Sequence, residues 1–309
     1  MFGGWVDAFV MSRRTKSVWL TSFCALLWVV APLWASETES WPETRARWNQ
    51  PAQPFRVIGN VYYVGTHELA VWLITTRSGH VLLDGALPES VPQIEANIRS
   101  LGFRLEDVHW LLNSHAHFDH SGGLAQLRRD TGARLYASAG DRESLESGTY
   151  LGSEADTTLS APPVSVDATV ADGQRLDLGG VAVMAHLTPG HTRGCTTWTL
   201  SVVENGQTHT VVFYCSTSVA ANRLAPVEQY PGIVDDYRQS FQRLQDIRGD
   251  VFLANHESFF GLWDKRSRQR GGEPNPFVDP TELSRFVAAS KAAFEAELTQ
   301  QRSAAGALR

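Results

Sequence analysis

From Phe55 onward, apolar and polar positions alternate in short runs. "FRVIGNVYYVG" and "AVWLITTRSGHVLLDG" read as strands interrupted by turns at Gly59-Asn60 and Ser78-Gly79. Over residues 92–101 the period lengthens: Ile94 and Ile98 stand four apart, and Gly102 marks the stop of a helix. Residues 108–112 predict a short buried strand, 122–129 a helix, and "ARLYAS" a further strand. The small, polar stretch 147–163 predicts a long loop of the kind that serves as a flap. A second strand-rich half follows with "VAVMAHLTPGH", "TTWTLSVVENGQTHTVVFYCS" and "DVFLANH". Within it, residues 236–248 carry Tyr237, Phe241 and Leu244 on one helical face, and a last helix begins near 279–280.

Each half thus alternates strands with helices and ends strands in histidine-bearing loops. The pattern predicts an α/β fold of two sheets packed between helices, built as two similar halves over residues 55–305. Residues 36–54 are polar and punctuated by proline, with Trp41 and Trp48 as isolated apolar anchors, so a tail lying on the domain is expected there. The first 35 residues differ again. Arg13, Arg14 and Lys16 precede an apolar run that ends at "PLWASETES", the layout of a secretory signal peptide cleaved after Ala35. A membrane anchor is the competing reading, but that run is short for a span and contains Pro32.

Removal of residues 1–35 takes away three basic residues and one acidic one, moving the formal charge from −6 to −8. An exported, acidic chain is a poor nucleic-acid binder. The expectation is a periplasmic protein, free of the membrane once the signal is gone, monomeric, and acting on a small molecule.

The chemistry concentrates in "LLNSHAHFDHSGG", where His115, His117, Asp119 and His120 fall within six residues. In an extended segment, residues two apart point the same way, so His115 and His117 can hold one ion together. Asp119 and His120 are adjacent in sequence, so they are expected to diverge in direction and to suit a second, neighbouring ion. A hydrolytic zinc takes three protein ligands and keeps a place for water, so two sites need six ligands. Of the ten histidines, His191 in "TPGHTRGC" and His256 in "FLANHES" follow strand ends and complete the count. His67, His80, His109, His186 and His209 lack such a setting. The expected sets are His115, His117 and His191 for one Zn²⁺, and Asp119, His120 and His256 for the other; spacing alone would allow His191 and His256 to exchange. Six ligands returning one negative charge would leave the ions strongly electrophilic, which favours hydrolysis.

His115-x-His117-x-Asp119-His120, with "TPGHT" and the distant His256, resembles the metallo-β-lactamase superfamily. "RVIGNVYYVG", "LITTRSGHVLLDGALPES", "LLNSHAHFDHSGGLAQL" and "ADGQRLDLGG" are similar to its subclass B3. The resemblance spans roughly residues 48–280. It implies the four-layer αβ/βα sandwich, a dizinc site at one edge of the sheets, and the ligand split just given. The implied activity is hydrolysis of the β-lactam amide bond by a hydroxide held between two zinc ions and oriented by Asp119, conferring antibiotic resistance. The alternative is a glyoxalase II-like thioesterase or a lactonase of the same superfamily. Those relatives bridge their metals with an Asp at a second-half strand end, and no Asp occurs here between Asp177 and Asp235. Nuclease relatives fit an acidic exported chain poorly, and flavodiiron relatives want Glu where His117 stands.

The resemblance also places Ser216 and Ser218 where the subclass holds the substrate carboxylate; satisfying a turn is the competing role for Ser216. Its usual Asp at the preceding position is replaced by Cys215. A sister subclass uses cysteine as a ligand nearby, so Cys215 is a ligand candidate, a free thiol, or a disulfide partner of Cys195. The hairpin turn at "ENGQ" favours the disulfide: folding about Asn205 sets 195 opposite 215. Asp84 is a candidate acceptor for the proton of a metal-bound imidazole, or a strand-end turn residue. Ser121 is expected to cap the next helix, and Tyr150 and Leu151 to reach the substrate.

Overall fold

A computed structural model describes residues 40–307. The expected signal segment lies outside the described residues. Seven strands form the first sheet in sequential order. They are β1 Phe55–Ile58, β2 Val61–Tyr63, β3 Trp72–Ile74, β4 His80–Leu83, β5 Val108–Leu112, β6 Arg134–Ser138 and β7 Ala168–Val170. The first four make an antiparallel meander. From β4 to β7 the strands run parallel, and parallel neighbours need crossover connections. Helices supply them: α2 Val91–Ser100, the single turn α3 Phe118–Ser121, α4 Leu124–Thr131 and α5 Ala139–Ser147.

The second sheet has five strands in the order β12-β11-β10-β9-β8. These are β8 Arg175–Leu178, β9 Val181–Leu187, β10 Thr196–Glu204, β11 Gln207–Tyr214 and β12 Val251–Ala254. Hairpins join β8 to β11, and α6 Ile233–Asp246 carries the chain over to the parallel strand β12. Helices α7 Leu262–Arg270 and α8 Glu282–Ala307 close the chain. The larger apolar cluster fills the space between the sheets, with Trp72 against Phe213 and Trp198 fully buried, and continues beneath α6 and α8. A second cluster lies under α2, α4 and α5. Strands covered on both faces cannot alternate, and β4, His-Val-Leu-Leu, is buried throughout. The expected sandwich of two sheets between helices is what the chain forms.

Differences from the sequence reading have physical causes. Helix α6 starts one turn before residue 236, because Ile233 and Val234 are buried in its first turn. Helices α5 and α7 gave no signal: α5 buries only Asp141 and Leu145, and α7 only Leu262 and Lys265. The segment before Phe55 is not featureless. Residues Trp41–Trp48 form α1, where Ser40 N–H donates to Glu43 Oε2 at 2.9 Å and satisfies the helix start. None of its residues is buried, so it rests on the domain surface.

Candidate metal centre

Loops at one edge of the two sheets deliver every predicted ligand. Strand β5 ends at Leu112, and Asn113 and Ser114 lead into His115. Asp84, at the end of β4, fixes this lead-in by accepting from Ser114 N–H at 2.7 Å and Asn113 Nδ2 at 3.1 Å. The expected hydrogen bond from an imidazole to Asp84 is not made. Burial lowers the His120 pKa, but Asp119 beside it raises it above the usual value, with the Asp84 charge adding a smaller push; His120 Nδ1 is buried without a partner. Ser121 does not cap α4, which begins after Gly123. Its hydroxyl donates back to the carbonyls of Ala116 and His117, tightening the loop.

His115 and His117 converge with His191, the three rings standing 4.5–4.7 Å apart at steep angles. One ligand atom from each lies within 4.8 Å of the others. His191 is set by the turn after β9, where Gly190 adopts φ +137° and a Cβ would meet the Tyr237 ring at 2.7 Å. Its Nδ1 donates to the Ser218 carbonyl at 2.7 Å, which turns Nε2 inward. Ser114 Oγ, 3.1 Å from His115 Nδ1, can accept that ring's proton, and His115 Nε2 is buried with no hydrogen-bond partner. A lone pair orphaned in this way, facing two other imidazoles, is a metal ligand's disposition.

The second group is tighter. Asp119 and His120 are neighbours in α3, and their side-chain tips meet instead of diverging as expected. Asp119 Oδ2 is 3.3 Å from His120 Nε2 and 3.3 Å from His256 Nε2, and the two nitrogens are 3.1 Å apart. Three atoms each ~2.0 Å from a tetrahedral zinc would be separated by about 3.3 Å. The donor set therefore fits that ion. His256 follows β12 and packs edge-on against Trp48, ring centroids 5.6 Å apart.

Four of the five imidazoles are biased to the neutral form that ligation needs, His120 being the exception. Burial holds His115 and His117 well below the usual imidazole range, reinforced by neighbouring rings, and takes His191 down to about 4. His256 is lowered by burial as well. Burial opposes ionisation of Asp119, but His120 and His256 beside it keep the carboxylate well below its ordinary value. Five rings and one carboxylate are thereby gathered with four of the rings biased to the neutral form.

Cys195 and Cys215 are joined in a disulfide with Cα atoms 5.9 Å apart. The hairpin register differs by one from the expected centre. Glu204 pairs with Gln207, so the fold axis lies between Asn205 and Gly206, and the ladder sets Thr196 rather than Cys195 against Cys215. The bond still forms because Cys195 precedes β10. Cys215 is thus no ligand, although its sulfur lies 3.7 Å from His115 Nδ1.

A cavity of about 450 Å³ opens over both clusters. Ser216 and Ser218 border it; Ser216 Oγ is tied into the turn by Ser218 N–H at 3.1 Å and is buried, whereas Ser218 is exposed to the cavity. Tyr150 lines it and stacks on His117 at 4.3 Å and 12°. Leu151 does not; it packs on the main core, and Leu159 of the same loop takes the expected place. The wall that sequence reasoning missed is aromatic, formed by Trp41, Trp48 and Phe118. Two lone tryptophans in a polar segment were its only trace.

The family model of the metallo-beta-lactamase superfamily matches residues 67–203. Among solved structures, BJP-1, a subclass B3 metallo-beta-lactamase of Bradyrhizobium japonicum, is 42% identical with a TM-score of 0.81, over 83% of this chain and 97% of that one. The chain belongs to the subclass B3 metallo-β-lactamases. FEZ-1, a metallo-beta-lactamase from Legionella gormanii, is 39% identical with a TM-score of 0.79, over 82% of this chain and 98% of that one. Among curated relatives, a hydroxyacylglutathione hydrolase of Acidiphilium cryptum (strain JF-5) is 33% identical over 41% of this chain. That match spans only 42% of the relative's own length, whereas the subclass B3 likeness runs through nearly the whole of its counterpart.

Proposed function

We propose that this chain hydrolyses the amide bond of β-lactam antibiotics, using two zinc ions held by His115, His117 and His191, and by Asp119, His120 and His256. The observation that carries the reading is the pair of three-ligand clusters beneath one cavity of about 450 Å³, with Asp119 the only carboxylate in either cluster among the described residues. When bound, zinc lowers the pKa of water to about 7 and polarises a carbonyl. Asp119, ionised and in contact with both His120 and His256, accepts a hydrogen bond from the attacking water and aligns it. Ser218, at the cavity face, binds the substrate carboxylate, with Ser216 holding the turn beneath it. Trp41, Trp48 and Phe118 exclude water on one side and Tyr150 on the other.

The thioesterase reading is favoured by one observation, the likeness to hydroxyacylglutathione hydrolases over part of the chain. Against it stands the strand-end segment after β11, "CSTS", which offers no bridging Asp. The disulfide suits an oxidising compartment, which supports export to the periplasm. Among the described residues, no helix is long and apolar enough to cross a membrane.

Turnover of a chromogenic cephalosporin, abolished by chelator and restored by Zn²⁺, is the expected result. Hydrolysis of S-lactoylglutathione with the cephalosporin left intact would overturn the proposal in favour of the thioesterase.

A further inference from the structure

Asp141, in the first turn of α5, is buried to 3% exposure and belongs to neither ligand cluster. Its carboxylate receives three donors. Oδ2 accepts from Ala116 N–H at 2.9 Å and from Thr192 Oγ1 at 2.8 Å, and Oδ1 accepts from Gly194 N–H at 2.8 Å. Ala116 stands between His115 and His117, and Thr192 follows His191. One side chain therefore grips both loops that supply the three-imidazole cluster, and those loops come from different sheets. The approach is close: a Cβ at Gly194 would lie 2.6 Å from Asp141 Cγ, and one at Gly140 would lie 2.6 Å from the Arg193 carbonyl oxygen. The carboxylate, Ala116, His117, His191 and Thr192 border one small cavity behind the ligands. Among the described residues, no basic side chain hydrogen-bonds the carboxylate; its three partners are two backbone amides and a hydroxyl.

A buried carboxylate without a cation is costly to keep, and anchoring α5 alone would need no charge. Three donors from two loops give it a use. A carboxylate accepts on both oxygens, whereas an amide in its place would turn an N–H toward one of those donors. We propose that Asp141 is a positioning residue that locks the His115/His117 loop to the His191 loop, so that the three imidazoles are preset for their metal ion. Asp141 touches neither metal nor substrate, and the inference rests on the metal assignment made above.

The test separates the two sites. Asp119→Asn disables the second cluster and leaves the three-imidazole site to be titrated with Zn²⁺ against a chromophoric chelator. Adding Asp141→Asn to that background should weaken the remaining site about 10–100-fold, the range for groups that orient ligands. In a His191→Ala background, where the second cluster remains, Asp141→Asn should change zinc affinity less than threefold. Equal weakening at both sites, or none at either, overturns the proposal. Should Asp141→Asn not fold, Thr192→Val against Thr192→Ser decides: the hydroxyl-free variant must lose affinity at the three-imidazole site and the serine variant must keep it. If the Asp119→Asn protein itself holds no zinc, the metal reading falls; if it holds zinc that Asp141→Asn does not weaken, only this inference does.

Discussion

Removing the metals should cost the fold a predictable amount of heat resistance. Each cluster joins residues from both sheets, so an ion bound to the native arrangement has no equivalent in the unfolded chain. A ligand present at a hundredfold excess over its Kd stabilises the native state by about 2.7 kcal/mol. For the roughly 270 described residues, the unfolding entropy near 60 °C is about 0.55 kcal/mol per degree. One site is then worth about 5 °C in Tm, and two about 10 °C. The latter is an upper figure, because the His115 and His120 rings are only 4.5 Å apart and adjacent cations repel. Asp119→Asn removes the sole anionic ligand and the shared partner of His120 and His256, leaving the other cluster intact. Thermal melts followed by circular dichroism, with fixed free zinc or with chelator, should show a drop approaching 10 °C for the native chain and about 5 °C for the variant. A variant whose drop equals that of the native chain would refute the two-site assignment.

Acid should empty the sites in order. Burial keeps His115, His117 and His191 neutral below the ordinary imidazole range, so protons compete late there, whereas His120 is raised by Asp119 despite burial and is protonated first; the Asp119/His120/His256 site should release metal at the higher pH, followed by a zinc-sensitive dye. Replacing Cys195 and Cys215 by Ser opens a cross-link of 20-residue separation, which should lower stability in urea by about 3 kcal/mol; an unchanged midpoint would show that the bond constrains nothing. Trp48→Ala removes a wall of the cavity and should raise KM about tenfold for a β-lactam bearing an aryl side chain, the scale of one aromatic contact. A substrate with only small substituents should change little in the same assay.

What the sequence disclosed followed from local crowding. Four ligands in six residues leave few interpretations, and His191 and His256 were found because each follows an apolar strand directly. Period-two and period-four patterns located the strands and the amphipathic helices. Helices that bury one or two side chains, such as α5 and α7, escape any periodicity argument. Asp141 escaped with α5, since its role depends on loops 25 and 51 residues away in the chain. Trp41 and Trp48 stand out as anchors in a polar segment, but which surface they anchor to is a tertiary fact. The hairpin shows how fine the margin is: a centre misplaced by half a residue shifts the register by one and exchanges every facing pair along β10 and β11.

Helix α1 is held on its inner face by Trp41 and Trp48 against Phe118 and His256, and at its rim by ion pairs. Arg45 forks onto Glu89 at 2.9–3.0 Å and Arg47 pairs with Glu68, both at the solvent boundary, with Thr66 Oγ1 donating to the Trp48 carbonyl at 2.6 Å. Ion pairs of this kind weaken as salt screens them, within about 8 Å at physiological ionic strength. The floor of the cavity, held by ligand loops and a disulfide, does not share that sensitivity. Dissolved electrolyte is consequently expected to loosen only the polar hem of α1, while its two indoles stay seated on the site.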